Sequence, residues 1–171
     1  MRPVVLTCAL LAVGVGFSSC ADAPPERAAL ETRTAADVAQ AKEAVLDVLN
    51  AETRDALGRD YEGWRTHWVH APYVAKTYIN LADGSASETL GWTAVDDFVR
   101  TYLEAHPEPE TPPAPLTDAD VRLYGDGAWV SYEQDDADQG RKRETRLMER
   151  VDGAWKIAGM HTTIYGVTRS D

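Results

Sequence analysis

Acid-base chemistry near neutral pH falls first to imidazoles, and the 171-residue sequence has four: His67, His70, His106 and His161. In the segment after the Asp152-Gly153 pair, Trp155, Ile157, Gly159, His161 and Thr163 share one parity, so strand geometry predicts one face for them and the other for Lys156, Ala158, Met160 and Thr162. His161 then has apolar neighbours, and Gly159 leaves room beside it for another backbone or a ligand. Two readings stand: a neutral, hydrogen-bonded core histidine, or a pocket histidine that binds ligand or moves a proton. His67 and His70, three residues apart at the end of the second predicted helix, fall on one helical face, as a pair of metal ligands would. Their spacing is not that of the zinc motif His-Glu-x-x-His, and no cysteine or carboxylate cluster accompanies them, so neither a metal site nor a cofactor is assigned.

Among the carboxylates, Glu133 shares parity with Trp129 and Ser131 and is the strand acid retained as a candidate proton shuttle. Asp135, Asp136 and Asp138 read as solvated turn residues, and Asp96 and Asp97 as helix-start residues favoured by the dipole. Arg141, Lys142, Arg143, Arg146 and Arg150 form one basic cluster. Alternation sends Arg146 and Arg150 to the face of Met148, where cross-strand ion pairing with the strand of Glu133 is the expected role and an anion site for a small carboxylate the alternative. Trp64, Trp68, Tyr73, Tyr78, Trp92 and Tyr132 make an aromatic set able to stack a flat or apolar ligand, about half of them in plain core. Nothing here pairs a nucleophile with a base, or a base with an orienting acid, so binding ranks ahead of catalysis. The alternative is an enzyme with His161 or His70 as base and Tyr78, Tyr132 or Trp64 as donors.

The elements that must position these residues change period along the chain. Residues 37–57 carry Val38, Ala41, Val45, Leu46, Val48, Leu49 and Ala56 at helical spacing, with Thr34 or Asp37 as cap and Gly58 as end. A second helix is predicted from Asp60 through Trp64 and Trp68, stopped by Pro72. Residues 73–81 read as a strand and 82–85 as its turn, and a third helix follows from a Thr93 cap to His106. Residues 108–115 contain four prolines and form a stiff connection. Residues 120–124, 128–135, 141–151 and 154–165 then read as four strands, the last two joined by the Asp-Gly hairpin signal. Helices first and a curved meander after is an α+β plan.

The N-terminus carries a different message. Residues 4–17 are an apolar stretch behind Arg2, about 14 residues against the roughly 20 that a spanning helix needs. Phe17-Ser18-Ser19-Cys20-Ala21-Asp22 resembles a bacterial lipobox, with Phe17 where leucine is usual. The expected organisation is a signal peptide at 1–19, lipidation at Cys20, a tether at 20–34 and a folded domain at 35–171. Cys8 falls in the discarded stretch, so Cys20 has no disulfide partner. The protein is expected in the bacterial cell envelope, facing periplasm or exterior. With 17 basic and 28 acidic residues the formal charge is -11, and removal of Arg2 with the leader moves it to -12. That charge argues against nucleic acid and against a basic membrane patch, leaving the lipid as the only membrane attachment.

The order of elements, with Asp60-Tyr61-Glu62-Gly63-Trp64, Trp68 to Val74, Gly91-Trp92 to Phe98, Ala128 to Tyr132, Arg146 to Arg150, Asp152 to Ile157 and His161, resembles the nuclear-transport-factor-2-like superfamily in its SnoaL-like branch. The resemblance implies a cone-shaped half-barrel, a curved mixed or antiparallel sheet wrapped around the N-terminal helices. It also implies a pocket at the cone's mouth, with His70 near it, and a homodimer packed through the outer sheet. Members that act as isomerases or cyclases need a pocket carboxylate, and His70-Ala71-Pro72 offers none where the resemblance would place it. A cone filled by Trp and Met side chains would favour a partner interface over a ligand.

Overall fold

The computed structural model describes residues 34–136 and 140–166. The expected signal peptide, Cys20 and the tether before Thr34 lie outside the described residues. Helix α1 (Ala35–Leu57) opens with a reciprocal cap: the Thr34 hydroxyl accepts from the Asp37 amide at 3.1 Å, and the Asp37 carboxylate accepts from the Thr34 amide at 2.9 Å. Val45, Leu49 and Glu52 form its buried stripe. Helix α2 (Tyr61–Thr66) is capped by Asp60, whose carboxylate accepts from the Gly63 amide at 2.9 Å. It ends earlier than its apolar pattern predicts, because the next residues pair with the last strand. Val69 donates its amide to the Ile157 carbonyl and Ile157 donates to the His67 carbonyl, each at 2.8 Å. His67 and His70 therefore share no helical face.

Strands β1 (Ala75–Asn80) and β2 (Ser85–Leu90) precede helix α3 (Trp92–Ala105), and β3 (Asp120–Tyr124), β4 (Gly127–Asp136), β5 (Gly140–Val151) and β6 (Ala154–Gly166) complete the chain. The sheet order is β2-β1-β6-β5-β4-β3, with β1 and β6 parallel and every other pair antiparallel. This is the expected curved mixed sheet with helices on its concave side. Strand β2 is an addition. Its Ser-Ala-Ser-Glu-Thr-Leu sequence has no apolar alternation, because it lies exposed at an edge. Helix α3 starts at Trp92 behind Gly91, whose φ of 82° favours glycine, and not behind Thr93. On the concave side Val45, Leu49, Trp64, Trp68, Val95 and Val99 pack against Val130, Met148 and Ile157. Each such side chain contributes on the order of 1.5–3 kcal/mol by leaving water. Among the described residues no helix is long and apolar enough to cross a membrane.

One irregularity decides which residues face inward. Leu147 lies opposite Gly159 but Met148 opposite Ile157, so Ala158 is an extra residue in β6. Alternation reverses across it. Trp155 and Ile157 are buried before the bulge, and Met160, Thr162 and Ile164 after it. His161 is thereby turned to the convex face and exposed. The simple alternation drawn from the sequence, which grouped His161 with Trp155 and Ile157, fails for this reason.

Candidate functional site

The structure does not bring the sequence-selected imidazoles together. His161 is exposed, its Nε2 3.2 Å from the Thr163 hydroxyl. His70 is exposed, donates to the Arg65 carbonyl at 2.9 Å and stacks on Trp92 with centroids 4.0 Å apart. His67 donates to Asp55 at 2.7 Å, tying α2 to α1. Tyr73 is exposed and donates to Glu149 at 2.6 Å. Glu133 is on the convex face, held by Arg141 and Arg143, whose hydrogen bonds keep its carboxyl below the usual range. Trp64 and Trp68 are core, and Trp92 is half-buried against Trp64 at 5.8 Å.

The concave face carries a polar row instead. In register, Tyr132 of β4 lies opposite Glu144 of β5, Glu144 opposite Thr162 of β6, and Thr162 beside Tyr78 of β1. One Glu144 oxygen accepts from Arg146 Nη1 at 2.6 Å and from the Thr162 hydroxyl at 3.0 Å. The Arg146 partner is thus two residues away on its own strand, not across it, and Arg146 Nε is buried without a partner. Burial alone would lower the Arg146 guanidinium, but Glu144, then Tyr132 and Glu52, raise it overall, so it stays charged. From the helix side, Glu52 accepts the Trp64 indole at 2.9 Å and the Trp68 indole at 3.2 Å. These bonds satisfy buried polar groups that would otherwise cost several kcal/mol. Lys76 is buried among the rings of Trp68, Tyr78 and Phe98, at 5.9, 5.5 and 5.8 Å.

A cavity of about 150 Å³ opens between α1, β4 and the proline segment. Leu49, Asn50 and Thr53 come from α1, Tyr132 and Gln134 from β4, and residues 112–116 form the outer wall. That wall is fastened at both ends. The Asn50 side chain donates to the Leu116 carbonyl at 3.1 Å and accepts its amide at 2.7 Å. The Glu110 amide donates to the Leu57 carbonyl at 2.9 Å, and Arg59 pairs with Glu110 at 2.5 Å. The deep end of the cone is filled by Trp64, Trp68, Met148 and Ile157, the filling expected to disfavour a ligand there, and the remaining free space lies nearer the rim, against the proline segment. Burial pushes the Tyr132 phenol up to about 12; Arg146 opposes this and Glu144 and Glu52 add to it. Tyr132 is therefore a neutral donor at physiological pH. The lining contains no histidine, carboxylate, lysine or cysteine.

A family model described as SnoaL-like domain matches residues 45–165, which spans the buried helical stripe, the cavity and all six strands. The chain belongs to the SnoaL-like domain family. Solved structures share the fold. A cystatin-like fold protein from Burkholderia xenovorans is 21% identical with a TM-score of 0.54, covering 77% of this chain and 93% of its own. A nuclear transport factor 2-like protein of unknown function from Silicibacter pomeroyi is 14% identical at 0.53, covering 74% and 98%. A nuclear transport factor 2-like superfamily protein from Salmonella enterica is 15% identical at 0.52, covering 78% and 96%. No curated protein matches the sequence.

Of the aromatic set, only Tyr132 lines the cavity of this SnoaL-like domain. Sequence reasoning passed over Glu52, Glu144 and Gln134. The signals were present: Glu52 follows Val45 and Leu49 on the apolar stripe, and Glu144 and Gln134 share the parities of Met148 and Tyr132. Asn50 and residues 112–116 carried no such signal, because their meeting is a contact across 66 positions of chain.

Proposed function

We propose that this SnoaL-like domain is a lipid-anchored envelope module that binds a small ligand in the cleft between α1, β4 and the proline segment, without turning it over. The observation that carries the reading is the cleft itself: about 150 Å³, walled by Leu49, Leu116 and three prolines, with Tyr132, Gln134 and Thr53 as its polar edge. An engineered apolar cavity of about this size takes up a benzene ring, so one ring is the fitting size. The absence of any histidine or carboxylate from the lining supports binding over proton-transfer chemistry. Anchoring rests on the lipobox-like residues around Cys20.

Native mass spectrometry of the protein released from its own envelope tests the reading. A retained small molecule, lost in the cavity-filling variant Thr53→Trp, supports it. Each protein appearing only at its own ligand-free mass, with no shift by ring-sized probes, overturns it.

The convex face fits a second copy of the chain. Trp129 and Leu147 lie opposite one another there and are 44% and 48% exposed, a paired apolar patch that dimerisation would cover.

A further inference from the structure

Three polar side chains of the cleft, the Tyr132 hydroxyl, the Gln134 amide and the Thr53 hydroxyl, have no hydrogen-bond partner among the described residues. The Tyr132 ring is nine-tenths buried, while its hydroxyl reaches the open space of the cleft. The one cation at the rim, Arg54, is largely solvent-exposed and already lies 3.3 Å from Asp55. Behind Tyr132, the buried charges of the concave face balance: the carboxylates Glu144 and Glu52 stand against the Arg146 guanidinium, whose Nη1 is spent on Glu144, and the Lys76 ammonium, held among aromatic rings. A ligand carboxylate seated against Tyr132 would lose its hydration, and the one cation on the lining, Arg54, lies out in water beside Asp55, where an ion pair is worth little.

Resting on the binding reading above, we propose that the ligand class is a neutral, single-ring compound carrying a carbonyl or amide oxygen, which accepts from the Tyr132 hydroxyl while the Gln134 amide meets its polar edge. The apolar part of the ring lies against Leu49 and the proline wall. The phenol suits this role because burial disfavours its ionisation, leaving it a donor across the physiological range. Gln134 supplies both a donor and an acceptor, so it accommodates an amide as well as a ketone.

The test compares three probes of one size, benzamide, benzoate and toluene, by amide chemical-shift titration of the wild-type protein and Tyr132→Phe. Ring-sized ligands bind in about the millimolar range. The expected order is benzamide tightest, with benzoate at least about tenfold weaker. Tyr132→Phe should weaken benzamide about fivefold and leave toluene within about twofold, since only one neutral hydrogen bond is removed. Gln134→Leu gives the same comparison if Tyr132→Phe does not fold. Benzoate binding as tightly as benzamide, or equal weakening of benzamide and toluene, would overturn the ligand class while leaving the cleft as a site. No shift at Leu49, Leu116 or Tyr132 with any probe would remove the binding reading and this one with it.

Discussion

The buried ion pair on the concave face gives a prediction whose size can be worked from geometry. Arg146 and Glu144 side chains are 6% and 5% exposed and meet at 2.6 Å. Replacing Arg146→Met keeps most of the stem volume and deletes the cation. Glu144 is then left with the Thr162 hydroxyl alone, in the neighbourhood of Glu52. Breaking a buried pair from one side costs about 3–5 kcal/mol, because the surviving charge is neither solvated nor neutralised. A domain of ordinary stability has about 5–15 kcal/mol in total, so the variant should unfold about 2 M earlier in urea. The second substitution Glu144→Leu removes the stranded charge, and the double variant should return to within about 1 kcal/mol of wild type. Urea unfolding followed by tryptophan emission reads this directly, since Trp64 and Trp68 are buried beside the site. Equal losses in the single and double variants would refute the reasoning, for they would make lost packing, not a stranded charge, the cause.

Four further outcomes are expected. Because the Tyr132 phenol is held up to about 12 in the folded chain against an ordinary 10.0, the unfolded chain loses its proton first as pH rises. Stability should therefore fall between about pH 10 and 12, by up to about 3 kcal/mol, and unfolding curves of Tyr132→Phe should lack that part of the slope; parallel slopes would contradict it. Asn50→Ala removes both bonds to Leu116 and should cost about 1–3 kcal/mol, with hydrogen exchange at the Leu116 amide accelerated; unchanged exchange would show that the proline wall is fastened elsewhere. Leu147→Arg should turn a dimer into a monomer in sedimentation velocity, whereas a wild-type monomer would remove the convex-face contact. Cys20→Ser should move the protein from the membrane fraction to the soluble one, and a variant still pelleting with membranes would end the lipid reading.

The helices and the last four strands were legible because each carries its period and its stop: Thr34 and Asp60 as caps, Asp152-Gly153 as the hairpin turn. Strand β2 was not, because an exposed edge strand needs no apolar alternation. The face of His161 was lost to one bulged residue, Ala158, which no pattern in β6 announces. The aromatic residues named as ligand contacts turned out to divide, Trp64 and Trp68 packing as core and Tyr132 lining the cleft. The cleft itself depends on Asn50 reaching Leu116, and a pairing of that kind leaves no mark in local sequence.

The central claim, that the cleft beneath residues 112–116 receives the ligand, is tested most directly by mapping bound benzamide through intermolecular nuclear Overhauser effects. The account predicts contacts from the ring to Leu49, Thr53, Tyr132 and Leu116, absent in Thr53→Trp. Contacts confined to Trp129, Leu147 or His161 on the convex face, or persisting unchanged in Thr53→Trp, would contradict it.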